Sequence, residues 1–399
     1  MPARVWREPS APPRREVWRR LEDQVLSWRD RLLASASFQR WASGFPLTRW
    51  IARRRARALF DLCAGFVYSQ ILLACVRLRV CDLLLERPRA RDELATRLNL
   101  PADQITRLLD AAAALRLVER RRDGRYGVGA LGAALAGNPG VAAMVEHHAL
   151  LYADLRDPVA LLRGDRTVST AIGRYWPYAG RACPAESDPM EVASYSALMA
   201  ASQPLVAADV LAAYPMRRHR CLLDLGGGDG TFLSEVAAAS PDLRLMLFDL
   251  PAVAARAEAR FAAAGLTHRA MAIGGDFRRD SLPDGADIVS LIRVIHDHDD
   301  DAALDILRAV WRALPPGGTL LIAEPMAGTH GAEPVGAYFA FYLLAMGSGR
   351  PRRPEELIDL LRKAGFSHSR LVATRRPMLV RVLVSRRDDG AAKISVNHS

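Results

Sequence analysis

From residue 220 onward the chain repeats one pattern: a short aliphatic strand, a turn, then a helix. "RCLLDLGGGDGTFLSEVAAA", "RLMLFDLPAVAARAEARFAAAG", "ADIVSLIRVIHD" and "GGTLLIAEPM" each carry the strand, and helices follow most of them. Strands alternating with helices build a parallel sheet, because each helix is the crossover that returns the chain to the same edge. The expected class over residues 216–386 is therefore α/β, with a short tail at 387–399. Open sheets of this kind bind ligands outside the carboxyl ends of their strands. Residues just past each strand are thus the first candidates for a site.

The first strand, 221–225, runs into Gly226, Gly227, Gly228, Asp229 and Gly230. Glycines there allow a tight turn and a close approach of ligand to backbone. A phosphate loop would need G-K-[ST], and a dinucleotide fingerprint would want its last glycine where Thr231 stands. Asp224, at the strand's end, repels a pyrophosphate but suits an ammonium group. Asp249 closes the next strand in "LFDLP", twenty-three residues past Gly226 and followed by Leu250. An acid at that tip accepts hydrogen bonds from ribose hydroxyls. Asp276 and Phe277, in "GGDF", are placed to flank an adenine ring. Three ordered acids without phosphate machinery indicate S-adenosylmethionine. The residues expected to hold it are Asp224, Gly226, Gly228, Gly230, Asp249, Leu250, Asp276, Phe277 and Arg293.

The segment "LIRVIHDHDDDAAL" then sets two histidines and four aspartates in six positions, 296–301. A metal would need ligands converging from elsewhere, and nothing upstream offers an obvious partner. Asp299, Asp300 and Asp301 precede a helical stripe of Leu304, Leu307, Trp311 and Leu314, so they are expected to cap that helix and match its dipole. His296 lies just past the strand-like "IVSLIRVI", where a proton acceptor would sit.

The amino-terminal half is of another kind. Residues 16–42 read as one helix, with Trp18, Leu21, Val25, Trp28 and Leu32 on one face and arginines between them. Tryptophan and arginine on an amphipathic helix suit a membrane surface, and docking on protein is the commoner use of such a face. Residues 55–85 read as one or two apolar helices. "RARDELATRLNL", Pro101 and "ITRLLDAAAALRL" then read as helix-turn-helix, and "LVERRRDGRYGVG" as a hairpin around Asp123-Gly124. A winged helix can bind DNA, but the second helix offers Arg107 as its single cation where a reading head needs several polar contacts. A dimerisation platform fits better, with no nucleic acid as partner.

The net charge of +11 is concentrated at the start, where residues 1–57 hold fourteen arginines against five acids. The five cysteines are scattered with no C-x-x-C pair, which points to free thiols and no zinc site. No apolar signal segment opens the chain, and the run "AGFVYSQILLACV" (64–76) is too short to span a bilayer. A cytoplasmic protein with peripheral membrane contact through residues 1–57 is expected.

The glycine loop, "FDLP", "GDF", the "HD" step, "AEPM" and "RPRRPEELIDLLRKAGF" together resemble the plant-type small-molecule O-methyltransferases with a winged-helix dimerisation domain. That resemblance implies a Rossmann-like methyltransferase sheet, a mainly helical winged-helix domain before it, and a homodimer without a metal. It gives a domain plan of a basic arm at 1–54, dimerisation at 55–140, a helical connector bearing on the acceptor pocket at 141–215, and the cofactor domain at 216–386. It implies His296 as general base with Glu324 and Glu356 flanking it, and it sets His298 where the family has tryptophan. "DLCAGFVYSQILLACV", "MVEHHALLYADLRDPVALLRGD", "SALMAASQ" and "AYFAFYLLAMGSGRPRRPEE" resemble the branch that methylates hydroxylated acyclic carotenoids. The implied acceptor is a tertiary hydroxyl on a long apolar chain, with a polyketide or phenolic hydroxyl as the other reading. For such a chain "YSALM" (195–199) and "YFAFYLLAM" (338–346) offer Tyr195, Met199, Tyr338, Phe341, Tyr342 and Met346 as pocket lining. His147 and His148, in "EHH", are left undecided between structural and functional use.

Overall fold

In a computed structural model, residues 13–164, 170–176 and 189–388 are described, apart from the side chains of 13–17 and 189–197. The chain divides into two compact units, 1–74 and 75–399.

The first unit is helical. The helix expected over 16–42 is two, Pro13–Ala34 and Ala36–Gly44. Ser35 breaks it: its backbone is extended and its hydroxyl accepts from the Phe38 amide, the N-cap alternative that serine offers to continued helix. The third helix, Arg49–Arg77, corrects the expectation of a run too short to span. It has 29 residues and, by length and composition, is long and apolar enough to cross a bilayer. The apolar character begins before Ala64, at Leu59, Phe60 and Leu62, so the stretch is longer than its uninterrupted core suggests.

The second unit opens with helices Val80–Glu86, Arg91–Leu98 and Ala102–Ala114, then a hairpin of β1 (Val118–Arg120) and β2 (Tyr126–Val128). This is the expected helix-turn-helix with wing. Gly124 turns the hairpin at φ 82°, a conformation closed to most side chains. Ile105, Leu109 and Ala112 bury the inner face of the second helix, leaving Arg107 exposed.

The large sheet contains β3 (Cys221–Leu225), β4 (Arg244–Asp249), β5 (Ala270–Gly274), β6 (Ile288–Ile292), β7 (Thr319–Glu324), β8 (His368–Val372) and β9 (Arg381–Arg386). Their order is β5-β4-β3-β6-β7-β9-β8, with β9 antiparallel to both β7 and β8 and the rest parallel. β3, β6 and β7 are buried throughout, as a sheet covered on both faces requires. Phe232, Val236 and Phe261 pack one face, and Ile306, Leu307, Leu357 and Phe366 the other. The chain moves outward from β3 through β4 to β5, then returns to lay β6 on the other side of β3. The crevice at the carboxyl ends of β3 and β6 is the switch point where such sheets bind ligands.

Candidate active site

A cavity opens at that crevice, and the ends of β3, β4, β5 and β6 all contribute to its wall. Past β3 the glycine loop turns through positive φ at Gly226, Gly228 and Gly230, at 70°, 61° and 80°. A Cβ on Gly226 would also meet the Val294 side chain at 2.9 Å, so glycine is required there twice over. The fourth residue of the loop, Asp229, is used to hold it. Its carboxylate accepts from the Thr231 amide and hydroxyl and pairs with Arg260, which comes from thirty-one residues further along the chain.

Asp249, at the tip of β4, accepts from the Gly228 amide at 2.8 Å and the Leu250 amide at 2.7 Å. Leu250 thus contributes its backbone N–H. Burial pushes the Asp249 carboxyl up to about 6. Asp224 is deeper. One oxygen accepts from the Ser290 hydroxyl at 2.6 Å, while the other is buried without a hydrogen-bond partner. Burial, aided by the nearby Asp249, raises the Asp224 carboxyl to about 7. An orphaned buried carboxylate oxygen costs free energy unless a ligand donor meets it. Asp224 and Asp249 both line the cavity, so the site suits a ligand with a cationic group and vicinal hydroxyls. Asp276 and Phe277 line it from beyond β5, with Phe277 edge-on to the His298 ring at 5.8 Å.

Arg293 lies on the wall in a left-handed backbone conformation, φ 58°, unusual for a side chain of its size. Its guanidinium holds Ser202, the Met199 carbonyl and Gln203, tying β6 to the helix Pro189–Ala213. That clamp brings Met199 and Gln203 to the cavity.

The residue expected to accept the proton, His296, follows β6 on a short turn, Ile295–Asp297. His296 is 4% exposed and does not reach the wall, which is formed here by Asp297, His298 and Asp299. Its Nε2 lies 3.3 Å from Asp297 Oδ1, its Nδ1 has no hydrogen-bond partner, and its ring packs on Phe339 at 5.5 Å. Burial lowers the imidazole to about 3, helped by Arg293, Arg352 and His298, so it is neutral at physiological pH. Burial and the neighbouring Glu324 push Asp297 well above the usual carboxylate range.

The two glutamates expected to flank the imidazole accept hydrogen bonds from main-chain amides. Glu324, fully buried at the end of β7, accepts from the His296 backbone amide at 3.1 Å rather than from the ring. Glu356 caps the helix Pro354–Ala364, accepting from the Arg353 amide, and pairs with Arg350. A glutamate at the third position of a helix reaches back to its own N-cap, a local demand that outranks a distant imidazole. The carboxyl beside the ring is Asp297, adjacent in sequence and overlooked. The aspartate cap also needs correction. Asp299 occupies the N-cap of the helix Asp300–Ala313, but its side chain accepts from the Gly349 amide, and Asp300 pairs with Arg350 and Arg352. Among the described residues no group of three or more metal-ligating side chains converges.

Of the residues expected to line the acceptor pocket, Met199 and Met346 reach the cavity, joined by Trp176, which sequence reasoning missed. The Tyr195 side chain lies outside the described residues. Phe341 is 36% exposed in the single chain, on the outer face of the helix Glu333–Met346 with Ala337 and Ala340, because it sits about 100° round from buried Tyr342. Tyr342 accepts from Trp176 Nε1 at 3.1 Å and shares a hydrogen bond with His147 Nε2 at 2.7 Å; Tyr338 pairs with His148 at 2.8 Å. The two histidines therefore tether the helix Pro139–Asp154 to the helix Glu333–Met346. Burial lowers His147 to about 4, so the tether is uncharged. Tyr342→Phe leaves two buried groups short of a partner and is expected to cost about 1–3 kcal/mol, a fall in melting temperature of roughly 2–4 °C or more. An unchanged melting curve would count against the tether.

Residues 60–138 match the O-methyltransferase dimerisation domain and residues 152–367 the O-methyltransferase domain. The chain belongs to the S-adenosylmethionine-dependent O-methyltransferase family. Its methyl donor is S-adenosylmethionine, and the buried acids Asp224 and Asp249 on the cavity wall have the chemistry to accept from an ammonium group and from vicinal hydroxyls. The dimerisation domain supports a homodimer, and Phe60, Leu62 and Phe66, exposed in the single chain, fall within it. This O-methyltransferase is 44% identical over 364 residues to the demethylspheroidene O-methyltransferase of Cereibacter sphaeroides, covering 90% of this chain and 95% of that one. It is 44% identical to the Rhodobacter capsulatus protein of the same name, over 86% and 85% of the two chains. Among solved structures it resembles the mitomycin 7-O-methyltransferase MmcR, with TM-score 0.69 at 27% identity over 84% of this chain and 99% of that one. The S-adenosylmethionine-dependent methyltransferase SibL matches with TM-score 0.69 at 27% identity, over 83% and 99%.

Proposed function

We propose that this O-methyltransferase methylates the tertiary hydroxyl of a 1-hydroxy acyclic carotenoid. The observation that carries the reading is the 44% identity, over nearly the whole chain, to demethylspheroidene O-methyltransferase. The wall formed by Trp176, Met199 and Met346 supports it, since these side chains suit a long apolar acceptor.

S-adenosylmethionine would supply an electrophilic methyl group, its S–CH3 bond breaking as the C–O bond forms and S-adenosylhomocysteine leaving. Asp224 and Asp249 hold its polar ends, and Asp276 and Phe277 bound its ring. The pair His296–Asp297 takes the hydroxyl proton, with the Asp297 carboxylate on the cavity side and the neutral imidazole behind it, Nε2 lying 3.3 Å from Oδ1. A tertiary alcohol is far less acidic than either group, so the proton leaves only as the new C–O bond forms. Most of the acceleration then rests on the protein walls holding the hydroxyl in line and excluding water. The test is methyl transfer from labelled S-adenosylmethionine to micellar 1-hydroxyneurosporene. No transfer, in an assay validated with a known carotenoid methyltransferase, sinks the acceptor assignment.

Such an acceptor is dissolved in membrane, and the proposal extends to how the enzyme reaches it. In the amino-terminal unit Trp18, Trp28 and Trp50 are 70%, 65% and 60% exposed beside many arginines. Amphipathic indoles at headgroup depth and cations over anionic lipid are the features of an interfacial helix. The enzyme is cytoplasmic and docks on the membrane through residues 1–57. Deleting residues 1–50 should abolish most co-sedimentation with anionic liposomes; undiminished partitioning would refute docking.

A further inference from the structure

Arg352 is 0% exposed and does not line the cavity. A buried guanidinium is tolerated only where its donors are met. Here Nε donates to Asp300 Oδ1 at 2.9 Å, Nη1 to the Ile295 carbonyl at 2.9 Å and Nη2 to the His298 carbonyl at 2.6 Å. These two carbonyls bracket His296 and Asp297. The carbonyls between them are also taken by the same loop: the Arg350 amide donates to His296 O at 2.9 Å and the Ser348 hydroxyl to Asp297 O at 3.0 Å. Four consecutive carbonyls of the proton-handling turn are thus bound by residues 348–352. Gly349 lets the loop lie this close, since it has φ 78° and a Cβ there would stand 2.1 Å from His296 O. The loop is anchored in turn, with the Gly349 amide on Asp299 and the Arg352 carbonyl on the Ala327 amide.

We propose that Arg352, acting with Ser348 and Gly349, is a positioning residue that fixes the turn carrying His296 and Asp297 against the cavity. The inference rests on the reading that this pair accepts the proton. The four contacts go to main-chain atoms, so they hold the turn without occupying the polar atoms of either side chain. A short 3₁₀ turn between a strand and a helix has little hydrogen bonding of its own, and an error of about 1 Å in a reacting group can cost 10²-fold. Lysine at 352 keeps the charge beside Asp300 but has no planar fork to reach both carbonyls.

The experiment compares kcat in wild type, Arg352→Lys, His296→Ala and the double variant, with the S-adenosylmethionine Kd of each measured by calorimetry. Arg352→Lys is expected to lower kcat roughly tenfold when His296 is present and less than about threefold when it is absent, the non-additivity of residues acting through one another. The Kd of the single Arg352 variant should stay within about threefold. An equal loss in both backgrounds, or turnover of Arg352→Lys within about twofold of wild type, overturns the positioning role. Full turnover by His296→Ala is a separate result: it overturns the proton-acceptor reading, and the positioning role with it. If Arg352→Lys does not fold, Ser348→Ala takes its place in the cycle, with an expected loss of about threefold and the same criteria.

Discussion

His296→Ala is expected to lower kcat by roughly 100-fold while the S-adenosylmethionine Kd stays within about threefold. The imidazole does not touch the cavity, so its removal leaves the cofactor wall intact. What is lost is the neutral partner of Asp297, 3.3 Å away. Without that partner a buried carboxyl already pushed upward, by burial and by Glu324, becomes harder still to ionise. The pH dependence follows with a definite sign. His296 titrates at about 3 and is neutral throughout the working range, so its own protonation produces no limb there. The carboxyl must be ionised to take a proton, and its pKa is raised, so kcat/KM should rise with pH through a limb above the ordinary carboxylate range. Glu324, at about 7 and within electrostatic reach of Asp297, couples to that titration, so the limb belongs to the group of acids and not to one residue. In His296→Ala the limb should move to higher pH. A rate profile whose acid limb stayed put, or a loss of kcat matched by an equal loss of cofactor binding, would rule the pairing out.

The second large effect is on the cofactor. Asp249→Ala should weaken S-adenosylmethionine binding by about 100-fold or more, because it removes an ionised acceptor for the ribose hydroxyls, worth about 1.5–3 kcal/mol per hydrogen bond. The same carboxylate also holds the Gly228 and Leu250 amides, so the substitution loosens the glycine loop as well. Binding is linked to protons through Asp224. Its carboxyl sits at about 7 in the free protein, and an ammonium group favours the ionised form, so binding near neutrality releases a proton. Affinity should therefore improve as pH rises toward 7 and level off above it. Calorimetry at pH 6 and pH 8 in buffers of different ionisation enthalpy reads both the affinity and the proton. A Kd for Asp249→Ala within threefold of wild type would remove Asp249 from the site.

Much of this site is legible because its parts are local. An acid at the tip of a strand is found by noting where the aliphatic run stops, and Asp224, Asp249 and Asp276 are all of that kind. The glycine loop is legible for the same reason, since positive φ at Gly226, Gly228 and Gly230 is a requirement of the backbone itself. The winged helix follows from helix spacing and one Asp-Gly turn. Residues whose role depends on a partner far along the chain behave differently. Glu356 has a suitable charge and an expected place beside His296, but its own helix end and Arg350 claim it. Phe341 has the right chemistry and the wrong face.

The chain's sequence by itself determined the order of strands and helices, the glycine loop and the acids near the strand ends, because hydrophobic period, glycine and strand ends are properties of neighbouring residues. Only the tertiary structure decided which groups touch. It paired His147 with Tyr342 across 195 residues and set four carbonyls of the His296 turn on a loop some fifty residues later. It also placed Asp297, and not a glutamate, against the imidazole, and buried both deeply enough to shift their titration. Burial and long-range hydrogen bonds arise when elements pack, and no spacing within one segment encodes them.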